Sequence, residues 1–392
     1  MRKTENSGNQ KRAFIVIAFT FLLTQLGWAA VPKIHAKGTV FGKLVDTVVD
    51  SEIAKYYIEE YLQGARTNAL ADQKIDGLYA NQNGAIPTRD ELSIISREFS
   101  VDFASLFLTD LLLSEKKNKE LNQVFENYLG REAVFEPNVL NSYLILYVPG
   151  WNYVKNGRLT GADFAQPRKL ASNIGFENYL VPLVSAGSVE ENAKVLQATV
   201  HKHAQSGKKI LIAGASSAGP VIHLALGEMM SDVELKPIKA WLNLGGILQG
   251  SPLLDFLQEG PRRAFFELVV WAEGWRKEAI FSMNTNQSRR RFERLKKNPG
   301  ILVVNYMGVP LSGQLSKYSK DKYPLLKTIG PNDGLTLLTD IIAPNSMTIV
   351  SLGNDHFIAE DPQINKKTVA LMELIIHALG ESASVRQEAS IQ

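Results

Sequence analysis

Lys208-Lys-Ile-Leu-Ile-Ala-Gly-Ala-Ser-Ser-Ala-Gly-Pro220 decides the fold. Ile210–Ala213 is a short apolar run of the kind that fills a buried parallel strand. Gly and Ser then break it, and a helical pattern resumes from about Ala218 to Met230. A buried strand, a tight turn carrying a hydroxyl and a helix on small residues make a nucleophile elbow. Such a turn presents its side chain at a strained corner, and the free amides of the next helix face a developing oxyanion. The usual pattern is G-x-S-x-G, and two registers compete for it. Gly214-Ala-Ser-Ser-Ala218 keeps the first glycine and makes Ser216 the nucleophile. Ala215-Ser-Ser-Ala-Gly219 keeps the last one and leaves Ser217 as the alternative nucleophile.

Outward from the elbow, strand and helix alternate from residue 140 onward, the rhythm of a mostly parallel sheet flanked by helices. Tyr143–Val148 is a continuous apolar run for a central strand, ended by Pro149-Gly-Trp151. Further strands are expected at 179–184, 209–213, 239–244, 301–305 and 346–352. Ser188-Val-Glu-Glu191 is a capping box opening a helix, and 367–379 is the closing helix. Residues 252–298 interrupt the rhythm with Phe265, Phe266, Trp271 and Trp275, the composition of a helical cap. The basic run Arg289 to Lys297 reads as a solvated face, with transient contact to an anionic lipid surface as the alternative.

Residues 31–135 are expected to form a mainly helical region ahead of the sheet. An irregular or strand-like arm covers 31–50, and Asp50 or Ser51 caps a helix to about Gln63. The stretch 65–86 is polar, with Asn81-Gln-Asn-Gly84 as a turn. Thr88-Arg-Asp-Glu91 is a capping box for a helix reaching Leu113, with a break near Ser100. Phe99, Phe103 and Phe107 recur every four residues on it, the spacing of a core stripe rather than a ligand platform.

A serine nucleophile needs a base, and at neutral pH that is usually histidine. His35, His201, His203, His223 and His377 stand on arms, helix ends or helix flanks. His356 instead follows strand 346–352 in Gly353-Asn-Asp-His-Phe357, at a carboxyl strand end, where open α/β sheets place their sites. A carboxylate must orient it, and two are candidates: Asp333, in the Gly-flanked turn Gly330-Pro-Asn-Asp-Gly334 between the last two strands, and Asp355, whose place beside His356 disfavours its facing the ring. No H-E-x-x-H or comparable ligand spacing occurs, so neither a metal nor another cofactor is called for.

Taken together, these stretches resemble the lipase and esterase branch of the α/β-hydrolases over about residues 140–380. Tyr147-Val-Pro-Gly-Trp151 is similar to the family's oxyanion loop. Asn243 to Phe256, with Gly250-Ser-Pro252, resembles the segment after the elbow. Gly330-Pro-Asn-Asp-Gly-Leu335 looks like the turn that carries the acid. The resemblance places the elbow over Gly214 to Pro220, with Ala218 where the family has Gly. It implies the α/β-hydrolase fold, Ser216, Asp333 and His356 as the catalytic set, and the backbone amides of Trp151 and Ser217 as oxyanion donors. The implied reaction is hydrolysis of a carboxylic ester, a small-molecule or lipid ester, through an acyl-enzyme. An acyltransferase, a peptidase or a scaffold that has lost turnover are the alternatives on the same fold.

The ends of the chain differ from its middle. Arg2, Lys3, Lys11 and Arg12 precede an apolar segment, Ala13 to Leu26, closed by small residues at 27–30. That is the order of an export signal for a periplasmic or secreted protein, with an anchor through 13–30 as the alternative. Residues 1–30 hold four of the 43 basic residues and one of the 40 acidic ones. The remaining 39 of each cancel, which argues against nucleic acid as a partner. With no cysteine, thiol chemistry and disulfides are excluded. Residues 381–392 form a polar tail.

Overall fold

The computed structural model describes residues 33–296, 298 and 300–380. The expected export signal or anchor at 1–30, the polar tail at 381–392 and Lys297 of the basic run lie outside the described residues. From residue 33 onward, the arm expected at 31–50 is an antiparallel hairpin, β1 (Ile34–Val40) and β2 (Lys43–Val49). Its turn residues Phe41 and Gly42 both take positive φ, the twist that two-residue hairpins require. Helices α1 (Glu52–Glu59), α2 (Ala69–Gln82), α3 (Arg89–Glu98), α4 (Val101–Ser114) and α5 (Lys116–Leu129) follow.

Helix α2 occupies most of the polar stretch at 65–86 and ends in the turn expected at 81–84. The Asn68 side chain caps it on Ala71 N, Asn83 ends it in the left-handed region, and it buries only Ala71 and Ile75. With so narrow a buried face, the apolar period that marks a helix in sequence is absent. The break at Ser100 is real. Its hydroxyl accepts from Phe103 N at 3.2 Å and starts α4, so one amphipathic run becomes two helices. Phe103 and Phe107 are fully buried, stacking in line with Phe99 as core.

The six-stranded sheet has the order β4-β3-β5-β6-β7-β8 and is parallel throughout. Its strands are β3 (Tyr143–Val148), β4 (Glu177–Leu180), β5 (Lys209–Ala215), β6 (Ile238–Leu244), β7 (Leu302–Val309) and β8 (Met347–Leu352). Strand β4 lies two to four residues earlier than expected, because Pro182 follows and cannot donate to a ladder. Helices α6 (Tyr153–Thr160) and α7 (Ala165–Ile174) follow β3, α8 (Val189–Ala204) follows β4, and α9 (Ala218–Leu224) follows β5. Four cap helices come after β6: α10 (Pro252–Leu257), α11 (Arg262–Glu273), α12 (Lys277–Phe281) and α13 (Thr285–Arg294). Helix α14 (Ile364–Ala378) closes the described chain.

One sheet face packs on α8 and α9 through Leu196, Val200, Val221 and Ile222. The other packs on α5, α7 and α14 through Phe125, Ala171, Leu371 and Ile375. The hairpin, α1 and α4 form a further core with Met307 and Val350 of the last two strands. Asp102 ties that core to the segment after β7. It accepts from Asp50 N at 2.8 Å, Ser312 N at 3.0 Å and the Tyr323 hydroxyl at 3.0 Å. Burial pushes its carboxyl well above the carboxylate range, and neighbouring Asp50 adds to the shift.

Among the described residues, no further strand pairs with the outer edge of β8. Two side chains of α5 stand in for one: Asn118 accepts from Thr348 N at 2.7 Å, and Asn122 donates to Thr348 O at 2.8 Å and accepts from Val350 N at 3.0 Å. An edge satisfied in this way offers no template to another chain.

The basic run is a solvated face only in part: Arg290, Arg294 and Lys296 are exposed, whereas Arg291 is buried. Arg291 is 3% exposed, pairs with Glu190 at 2.8 Å and donates to Ser282 O at 2.9 Å. Arg294 pairs with Glu228, and Arg289 reaches buried Asp340, which Arg89 holds at 2.7 Å. These acids come from α8, the turn after α9 and the loop before β8, so α13 is a pinned brace between elements. No helix among the described residues is long and apolar enough to cross a membrane.

Candidate active site

The site is built on the turn after β5. Ser216 takes φ +56°, where a residue with a Cβ is strained. The turn cannot relax, because Ser216 N donates to Leu244 O at 3.0 Å and Ser216 O accepts from Ile247 N at 3.1 Å. Gly214 is required beneath it: a Cβ there would sit 2.2 Å from Ile222 Cδ1 and 3.2 Å from the Ala218 methyl. Alanine at 218 is thus accommodated because 214 is glycine. At Gly219 a Cβ would meet Gly246 Cα at 2.7 Å, so the start of α9 lies directly against the loop after β6.

The structure brings Ser216, His356 and Asp333 into one line, from positions far apart in the chain. Ser216 Oγ lies 2.8 Å from His356 Nε2, and His356 Nδ1 lies 2.7 Å from Asp333 Oδ2. The tautomer that satisfies both contacts donates from Nδ1 to the carboxylate and accepts from the hydroxyl at Nε2. Asp333 is itself oriented, its Oδ1 accepting from the amides of Leu335 and Thr336 at 2.9 Å each. Its carbonyl accepts from His356 N at 2.8 Å, which locks the two loops together. The Gly250-Ser-Pro252 segment braces the acid loop from the other side. Thr336 Oγ1 donates to Gly250 O at 2.7 Å, and Ser251 Oγ donates to Leu335 O.

The His356 and Asp333 side chains are 5% and 1% exposed. Burial disfavours a charged ring, yet the Asp333 carboxylate beside Nδ1, aided by Asp355, holds His356 above the usual histidine value. Lys322 opposes them. It is a half-buried ammonium beside the Phe357 ring that donates to Tyr318 O, and desolvation pulls its own pKa down. Asp355 does not hold the ring. Its oxygens accept from Ser316 N at 2.7 Å and Phe357 N at 2.9 Å, shaping the loop that carries His356.

The other histidines are elsewhere. His35 pairs with Asp46 on the hairpin, and His203 lies against Tyr179. His201 is exposed at the end of α8. His377 meets Tyr128, and His223 is buried between Trp241 and Phe292, pushed down to about 4 by burial and then by Arg291.

The loop after β3 passes beside the turn, since a Cβ on Gly150 would stand 3.8 Å from Ser216 Cβ. The amides of Trp151 and Ser217 donate to no acceptor among the described residues. The Trp151 ring meets Trp275 of the cap edge-on, with centroids 5.7 Å apart. A cavity of about 770 Å³ opens over Ser216 and His356. Leu253, Leu257, Phe266 and Ile280 of the cap line it on one side. Trp271 does not; it is 73% exposed.

Among solved structures, Bacillus licheniformis lipase BlEst2 in its propeptide form is similar over 66% of this chain and 55% of that one, at 16% identity and a TM-score of 0.50. The chain has the α/β-hydrolase fold. The mature form of BlEst2 is matched over 63% of this chain and 96% of its own, at 16% identity and a TM-score of 0.48. The metagenomic carboxyl esterase MGS0156 is matched over 61% and 76%, at 18% identity and a TM-score of 0.49. No protein-family model matches the chain, and neither does any curated protein. Asp333 lies between β7 and β8 and His356 follows β8, at the carboxyl edge of the sheet where β5 delivers Ser216.

Sequence reasoning missed Lys322, which reads as one more charge in Lys320-Asp-Lys322. It also missed how far the cavity runs under the sheet, since Ala213 and Ala240 look like ordinary strand residues.

Proposed function

We propose that the protein hydrolyses carboxylic esters with Ser216 as nucleophile. The hydrogen-bonded line Ser216–His356–Asp333 at the floor of an apolar cavity carries this reading. His356 Nε2 removes the Ser216 proton as Oγ attacks the ester carbonyl, and Asp333 stabilises the imidazolium. The oxyanion is received by the amides of Trp151 and Ser217, whose protons have no competing acceptor. Collapse of the tetrahedral intermediate breaks the bond to the leaving oxygen, which takes the proton from Nε2. Water, deprotonated by the same nitrogen, then releases the acid and restores the serine.

The apolar cap chamber favours a lipid or other acyl ester. An export signal at residues 1–30 would place that activity in the periplasm or outside the cell. The test is activity-based labelling with a fluorophosphonate alongside hydrolysis of p-nitrophenyl butyrate. Ser216→Ala is expected to lose both, and Ser217→Ala to keep the labelling. Full labelling of Ser216→Ala would overturn the assignment, and loss in Ser217→Ala alone would move the nucleophile to Ser217.

A further inference from the structure

The cavity at Ser216 continues past the cap chamber, away from it and beneath the sheet, between the strands and α14. Its roof consists of alternate residues of neighbouring strands: Ile145 of β3, Leu211 and Ala213 of β5, Ala240 and Leu242 of β6, and Tyr306 of β7. That two-residue period places all of them on one face. Its floor is one stripe of α14, Ile364, Thr368, Leu371 and Ile375, spaced four, three and four apart.

Roof and floor agree on its length. From Ser216 back to Leu211 is five strand residues, about 17 Å at ~3.3 Å each. From Ile364 to Ile375 is eleven helical residues, again about 17 Å at 1.5 Å each. Two alanines keep the space open. In the register of β5 and β6, Ala213 faces Leu242 and Leu211 faces Ala240, so each cross-strand pair has one methyl where a larger side chain would fill the gap. Polar tips in the wall are turned away, as the Tyr306 hydroxyl bonds Ser351 Oγ at 2.8 Å and Tyr147 reaches Pro167 O. Arg158, Asp163, Glu360 and Asn365 border the cavity near the starts of α7 and α14. Interiors are otherwise packed with few voids larger than a water molecule, and a dry apolar void takes an apolar guest.

We infer that this arm is the binding channel for a straight, long acyl chain, which lies between the sheet and the C-terminal helix while its ester carbonyl sits at Ser216. The inference rests on Ser216 as the nucleophile and names its substrate class, esters of long-chain fatty acids. With C–C bonds of about 1.5 Å advancing ~1.25 Å per methylene, 17 Å holds about a dozen methylenes.

The test fills the channel. Ala213→Leu and Ala240→Leu each replace a methyl by an isobutyl group in the arm, and their folding is checked by circular dichroism and thermal melting. The readout is kcat/KM along p-nitrophenyl esters from butyrate to palmitate, with displacement of cis-parinaric acid from Ser216→Ala as a binding measurement that needs no turnover. The laurate-to-butyrate ratio is expected to fall at least about tenfold, since each methylene kept out of the channel costs roughly fourfold. Parinaric acid binding to Ser216→Ala is expected to weaken when either leucine is added. An unchanged ratio with unchanged parinaric binding would overturn the channel. So would loss of long-chain preference only in Leu257→Trp, which narrows the cap chamber instead. Parinaric binding that is lost in Ala240→Leu, in a chain whose wild type hydrolyses no ester, would keep the channel and overturn the nucleophile.

Discussion

Replacing Ser216 by alanine and, separately, by glycine measures the strain stored in the turn. Both variants lose the hydroxyl and leave His356 Nε2 without its partner, so that loss cancels in the comparison. What differs is the backbone. At φ +56° a residue with a Cβ is penalised by about 1–2 kcal/mol relative to glycine. Glycine gives back ~0.5–1 kcal/mol through the greater freedom of its unfolded chain. The turn cannot escape by rotating, since its amide and carbonyl are bonded to Leu244 and Ile247 on the neighbouring strand and loop. Ser216→Gly is therefore expected to be more stable than Ser216→Ala by about 0.5–1 kcal/mol, or about 1–3 °C in Tm for a chain of this size. Differential scanning calorimetry of the two proteins side by side reads this directly. An alanine variant as stable as the glycine variant, or more so, would refute the claim that the turn is strained.

Two further outcomes concern pH. His356 must be neutral to take a proton, and its pKa is held above the usual histidine value by Asp333, so kcat/KM should rise with pH through an ionisation above pH 6.5. Asp333→Asn should move that limb to lower pH and reduce kcat/KM by about 10³–10⁴-fold, measured as a pH–rate profile. His223 is neutral when folded, with its pKa depressed to about 4, whereas the unfolded ring takes up a proton below about 6.5. Its stabilisation is complete above pH 6.5 and is lost as pH falls toward 4. The loss is about 3 kcal/mol, and urea unfolding at pH 7 and pH 4.5 should show it in the wild type and not in His223→Leu.

The parts of the molecule readable from sequence are those whose signal is local. Five of the six sheet strands are short apolar runs, and each lies close to its expected place. The residues selected around the turn, Ser216, Asp333 and His356, are the ones the loops bring together. Ser216 and His356 each sit just past a strand end, Asp333 stands in a Gly-flanked turn between β7 and β8, and the family resemblance of the surrounding motifs chose among the alternatives. What escaped detection depends on distant partners. Arg289 and Arg291 of α13 look solvated until Asp340 and Glu190 arrive from other elements. Helix α2 buries two side chains and so leaves no period to read. The channel exists because Ala213 and Ala240 lie diagonally on adjacent strands, a relation that only strand register reveals.

The asparagines of α5 that cover β8 tie events far apart in the life of the chain. Asn118 is made early, but the strand amide it accepts from lies 230 residues later. Loops of that span close slowly, so contacts of this kind set the pace of folding. A growing polypeptide would hold an unfinished N-terminal core, with its amide side chains unmatched, until nearly the whole catalytic sheet had been synthesised. Maturation is thereby gated by the last strand, and a chain truncated before Met347 should not yield a half-built but stable N-terminal unit.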